Sequence, residues 1–268
     1  MSQKCLSVAC IILALALALA CTALSTHAAP IGRFLQVEGQ VDLLKGGKLP
    51  AAVAKVTDPV EIKDVIRTKS KSRAQVLFVD DTTITLAPES RVAVADYFYD
   101  QSKGARRSLI QVFQGLAHTV VKQVLQAQEP DFIIQTHTVV IGVRGTEWYT
   151  LILPGLTTVY NLDGLLDLRS SNPRVAGSLL LGALQYSEIR LDQPPGAPRD
   201  LTPAILSALR RMMFSGPEPV LSDPSGRTGQ LPDVDLFRLP EALRSPYAPT
   251  LSPTPERTPA PKSPGTSP

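Results

Sequence analysis

Apolar and polar residues alternate strictly at the start of the chain's main body. Leu35, Val37, Gly39, Val41 and Leu43 fall on one side, with Gln36, Glu38, Gln40 and Asp42 on the other. A period of two with one wet face predicts a β-strand. Lys45-Gly46-Gly47-Lys48 then turns the chain, and residues 60–68 form a second apolar run. Residues 74–79 and 82–87 flank Asp80-Asp81, which predicts a hairpin with a two-residue turn. Seven more strand-like runs follow at 91–99, 108–113, 116–125, 132–140, 146–153, 157–161 and 165–169. Asp163-Gly164 reads as a hairpin signal between the last two. Short strands at this spacing, without helical periodicity between them, predict an all-β fold: a β-sandwich or β-roll of about ten strands.

One helix breaks the pattern. Thr202 can cap it, Pro203 suits its first turn and Gly216-Pro217 stops it. Ile205, Leu206, Leu209, Met212 and Met213 share a face, beside Arg210 and Arg211. That amphipathic face is expected to pack on the sheet edge or close one end of the roll. The alternative is a helix for a partner or a membrane surface, which the methionines and arginines would suit.

Composition divides the chain near residue 190. There are seven prolines from 30 to 190 and seventeen from 191 to 268. The segment 245–268 is Pro, Ser, Thr and Ala with few large apolar side chains, so a disordered or polyproline tail is expected there. The resulting organisation is 1–28 signal peptide, 29–190 β domain, 191–244 helix-containing extension and 245–268 tail. The first segment carries Lys4 and then an apolar run over 6–23, with Thr26-His27-Ala28 ahead of the expected cut. Its length also approaches a membrane span, and Leu17-Ala18-Leu19-Ala20-Cys21 is similar to a bacterial lipobox, which makes Cys21 a candidate lipidation site. A periplasmic or extracellular location is expected, with a lipid-anchored form as the alternative. With three residues ahead of Lys4, no cytoplasmic domain is expected.

Charge and cysteine content exclude several chemistries. The net charge of +3 includes no basic block, which argues against a nucleic-acid partner. Cys5, Cys10 and Cys21 all precede residue 28, so the expected mature chain offers no thiolate and no disulfide. Beyond the signal the only histidines are His118 and His137, without metal-ligand spacing. Asp80-Asp81 reads as a pair of solvated turn residues. No nucleophile elbow, phosphate loop or dinucleotide fingerprint occurs. Neither a catalytic set nor a cofactor is expected.

An ordered string of motifs resembles the FecR-like domain family. Asp64-Val65-Ile66-Arg67-Thr68 precedes Ser72-Arg73-Ala74 and a turn at Asp80-Asp81, with Leu86-Ala87-Pro88-Glu89-Ser90 beyond it. Phe132 to Thr136 and Val139 to Glu147 are similar to the later strands of that family, and Val159 to Gly164 lies where its final motif is expected. Departures are Asp81 for the usual turn glycine, His137 for proline, Trp148 for phenylalanine and Asp163 for glutamate. The resemblance implies an exported binding or scaffolding module with an envelope protein as partner. Its alternative is a membrane-tethered sensory module of FecR-type signal transduction. Contact with the membrane is then expected only through an uncleaved or lipidated N-terminus.

The segment Gly142-Val143-Arg144-Gly145-Thr146-Glu147-Trp148 is the family signature in that resemblance. One reading makes Arg144, Glu147 and Trp148 an interface anchor. The other has the glycines bend the strand, Arg144 bond carbonyls or a carboxylate, and Trp148 enter the core.

Overall fold

A computed structural model describes residues 29–123 and 131–215. The segment 1–28 with Cys21, residues 216–244 of the extension and the tail 245–268 lie outside the described residues. In chain order the strands are β1 (Gly32–Glu38), β2 (Val41–Leu44), β3 (Ala52–Val53), β4 (Pro59–Val60), β5 (Val65–Thr68) and β6 (Arg73–Phe78). Next come β7 (Thr83–Leu86), β8 (Arg91–Asp100), β9 (Ala105–Val121), β10 (Phe132–Gln135), β11 (Val139–Val143) and β12 (Thr146–Leu153). The set ends with β13 (Leu156–Asp163), β14 (Leu166–Ser170), β15 (Ser178–Leu181), β16 (Gln185–Arg190) and β17 (Arg199–Asp200), and then a helix, α1 (Pro203–Ser215). Among the described residues no helix is long and apolar enough to cross a membrane.

The strands form two layers. The first sheet runs β4-β1-β6-β7-β9-β12-β13-β16-β17. The second runs β3-β2-β5-β8-β9-β10-β11-β14-β15. All neighbours are antiparallel except β9 and β10, which run parallel with Ser108 opposite Phe132. Alternation decides which side chains face inward. Phe34, Ile110, Phe132, Ile141, Trp148 and Leu168 are each fully buried between the layers. Burying a side chain of that size contributes about 1.5–3 kcal/mol.

Strand β9 belongs to both layers. Its first half pairs with β8 and β10, and its second half with β7 and β12. The switch falls at Gly115, where φ is +90° and an added Cβ would lie 2.6 Å from Ser90 Cα. Only glycine combines that backbone conformation with that close approach.

The strands expected over 108–113 and 116–125 are therefore one strand, whose last two expected residues lie outside the described ones. The run 132–140 divides into β10 and the start of β11, and 60–68 divides into β4 and β5. Two further differences concern turns. The β6–β7 connection is a four-residue loop, closed by Phe78 N donating to Thr82 O at 2.9 Å. Asp163-Gly164 is not a hairpin, because β13 lies in the first sheet and β14 in the second. Among the described residues there are seventeen strands where about ten were expected, and short edge strands such as β3 and β17 have only two residues each. Helix α1 lies on the outer face of the first sheet rather than at its edge. Leu209 and Met213 pack there with Leu116, Tyr149 and Leu151.

Candidate interaction site at the glycine corner

Two chain crossings meet at one corner of the sandwich. Strand β11 leaves the second sheet at Val143, and Arg144-Gly145 carries the chain to β12 in the first. Gly145 has φ +67°, and a Cβ there would sit 2.6 Å from Gln123 Cβ and 3.0 Å from its Cα. The β13–β14 crossing passes beside it. A Cβ on Gly164 would lie 2.5 Å from Thr146 Cγ2 and 2.7 Å from Gly145 O. The glycines of the signature segment and of the final motif thus hold two backbones against each other.

The signature side chains point in different directions. Trp148 is fully buried and its indole N–H donates to Thr150 Oγ1 at 2.9 Å. Thr146 is buried, and Gly142 is buried within β11 between Ile133 and Asp167. Arg144 is exposed, with no hydrogen bond or ion pair among the described residues. Among the described residues it ties down neither a carbonyl nor a carboxylate, and the crossing places it exposed at the tip. Glu147 projects from the outer face of the first sheet, its Oε1 at 2.9 Å from His118 Nε2. Buried Trp148 therefore offers no exposed surface beside Arg144 and Glu147.

His118 stacks on Tyr149 with ring centres 4.4 Å apart. Burial holds the His118 imidazole below its ordinary range against the pull of Glu147, and the positive charge of Arg210 adds to the depression. Burial likewise raises the Tyr149 hydroxyl, which Arg210 partly offsets. His137 is exposed between β10 and β11, so the two histidines occupy different elements.

Sequence reading missed a buried ionic network. Asp80 is not a solvated turn residue: its side chain is wholly buried against Arg106. Arg106 Nη1 donates to Asp80 Oδ2 at 2.7 Å, while Nη2 and Nε grip Asp131 at 2.7 and 3.1 Å. Tyr97 OH and the Thr82 hydroxyl also donate to Asp80. Asp81 is the solvated member, at φ +63° and 3.0 Å from Lys122 Nζ. The one available signal was the acid–acid pair itself, and its partner Arg106 is distant in sequence.

Motif polar residues serve the backbone. Thr68 Oγ1 donates to Ala87 O at 2.6 Å and accepts from Ser90 N at 2.9 Å. Ser72 Oγ accepts from Gln40 N at 2.8 Å, and Ser90 Oγ accepts from Leu116 N at 3.1 Å. Asp64, almost fully buried, accepts from Lys45 Nζ, Gly46 N and Glu61 N, each at 2.9 Å. Among the described residues no group of three His, Cys, Asp or Glu side chains could hold a metal ion.

The polar motif positions and the paired corners coincide with a known family. The family model described as FecR protein matches residues 64–163. That segment belongs to the FecR family. The FecR domain runs from Asp64, just ahead of β5, to Asp163 at the end of β13, and the flanking strands complete both sheets. The chain thus contains a FecR domain. Two crystal structures of a "putative anti-sigma factor" from Parabacteroides distasonis ATCC 8503 are similar to it, at 15% and 14% identity with TM-scores of 0.42 and 0.43. The matches cover 54% of this chain and 63% and 62% of those chains, so this chain spans less than two thirds of their length. No curated protein matches the chain.

Proposed function

We propose that this protein is an exported FecR-domain protein that acts by binding or scaffolding other proteins of the cell envelope, without catalysis. The family match across residues 64–163 carries the reading. The placement of the motif residues supports it: they bond the backbone and shape the corner, and leave Arg144 exposed at the tip as a contact. An arginine with five donors is suited to a polar protein interface. A photo-cross-linking residue at position 144, in the protein's own cells, should yield a discrete adduct with an envelope protein. Adducts to cell-wall polymer alone, or none, would reject the reading.

A second reading, a membrane-tethered sensory module, rests on Leu17-Ala18-Leu19-Ala20-Cys21. Intact mass separates the two. Loss of the first 28 residues is expected for the exported form, whereas a diacylglyceryl adduct on Cys21 supports the tethered one.

A further inference from the structure

Helix α1 covers the outer face of the first sheet with a narrow apolar stripe. Leu209 and Met213 are buried, Ile205, Leu206 and Met212 half-buried, and beneath them lie Leu116, Tyr149, Leu151 and Tyr160. It is also held outside that stripe. Leu201 N donates to Leu184 O at 2.8 Å just ahead of the helix, and the Arg73 guanidinium sits 4.4 Å from the Phe214 ring centre near its far end. Between these anchors the positive charge of Arg210 lies near the Tyr149 hydroxyl and the stacked ring of His118.

We propose that α1 is a pH-responsive cover: protonation of His118 loosens it and uncovers the apolar face formed by Leu116, Tyr149, Leu151 and Tyr160. The inference goes beyond the binding function proposed above and does not depend on it.

The charges around His118 set the direction. On β12 it faces Glu147 at 2.9 Å and Tyr149 in the stack. On β7 its register partner is Thr85, which carries no charge, and on β13 the neighbours of this face are Tyr160 and, opposite Glu147, Asp163. From the helix comes Arg210, with Arg211 adjacent, and β6 contributes Arg73 under Phe214. With α1 seated, an imidazolium at His118 is poorly hydrated and close to Arg210, and only Glu147 favours it. Lifting α1 hydrates the ring and removes Arg210. The released state therefore binds the proton more tightly. The His118 pKa is depressed below 6.5 in the seated state, so seating is complete above that value and lost as pH falls through and below it.

Hydrogen exchange on the full chain, corrected for intrinsic rates, tests this. Between about pH 7.5 and 5, amides of residues 206–211 should lose several-fold of their protection as His118 takes up its proton. Amides of β9 and β12 should keep theirs. Unchanged α1 protection, or loss of protection by helix and sheet together, would overturn the proposal. His118→Gln should abolish the pH dependence. Glu147→Gln, which removes the one interaction favouring the imidazolium in the seated state, should leave the acid-induced loss of α1 protection at least as large as in the wild type. A smaller loss in that variant than in the wild type counts against the proposal even if His118→Gln does not fold.

Discussion

Arg106 is held by carboxylates on two sides, and its own side chain and that of Asp80 have no exposed area. A buried charge of this kind persists only if nearly every donor is matched, and here both Asp131 oxygens, Asp80 and Lys122 O accept from it. Removing one partner leaves charge uncompensated, so Asp80→Asn should cost about 3–5 kcal/mol in denaturant unfolding. The same variant has a pH signature. Burial by itself would raise the Asp80 carboxyl, but hydrogen bonds from Tyr97, Arg106 and Thr82 outweigh it and hold the pKa below the ordinary 3.8. A depressed carboxylate contributes stability above its unfolded pKa and loses it as pH falls through the folded value. Unfolding free energies measured downward from pH 7 should therefore fall below about pH 4 in the wild type, and less steeply in Asp80→Asn. At the glycine corner two neighbouring residues separate backbone from side-chain roles. Gly145→Val forces a β-branched residue into positive φ and against Gln123, for an expected loss of about 3 kcal/mol. Arg144→Ala removes only an exposed side chain, and should stay within about 0.5 kcal/mol. An equal thermal shift in both variants would contradict this division.

Helix α1 was legible because its signals are local. Thr202 accepts from Ile205 N through its hydroxyl at 3.3 Å, and its own carbonyl accepts from Leu206 N at 3.0 Å. Thr202→Ala should cost about 1 kcal/mol, seen as roughly fivefold faster exchange of α1 amides while the sheets keep theirs. A loss spread over β9 and β12 would mean that the cap stabilises more than the helix. The strands were legible as strands for a similar reason, since alternation requires only the nearest neighbours. Their assignment to layers was not. Asp163-Gly164 has the chemistry of a tight turn whether the next strand pairs with the last one or crosses to the opposite sheet. Leu166 to Ser170 takes its partners from β11 and β15, and no local pattern specifies that choice. Strand β9 looked like two strands because Gly115 interrupts the alternation at the point where the strand changes sheets. The Asp80–Arg106–Asp131 network was hidden for the same physical reason. Ionic partners are joined by tertiary packing, and an acidic pair in a turn ordinarily faces water.

At the scale of the whole molecule the FecR match covers the middle strands of both sheets, whereas β1 to β4 and β14 to β17 extend the layers beyond it. The composition change near residue 190 falls at the end of β16, ahead of β17 and α1. Those last two elements contribute little to the interior between the sheets. Trp148, Phe34 and Phe132 are enclosed by residues of β1 to β16, while Leu201, Leu209 and Met213 belong to the separate cluster outside the first sheet. A chain shortened at residue 190 should therefore keep its β-type circular dichroism and the blue-shifted emission of buried Trp148. It should be less stable by roughly 1.5–3 kcal/mol for each large side chain that α1 no longer covers, an upper range because part of that surface is buried when unfolded. Its uncovered face, with Leu116, Tyr149, Leu151 and Tyr160 side by side, should bind an apolar dye and raise the apparent mass in solution. Restoring the segment through residue 215 should reverse both effects. Red-shifted Trp148 emission in the shortened chain would show that α1 supports the interior itself. A monomer that binds no dye would show that the face stays closed without the helix, and would also count against α1 as its cover.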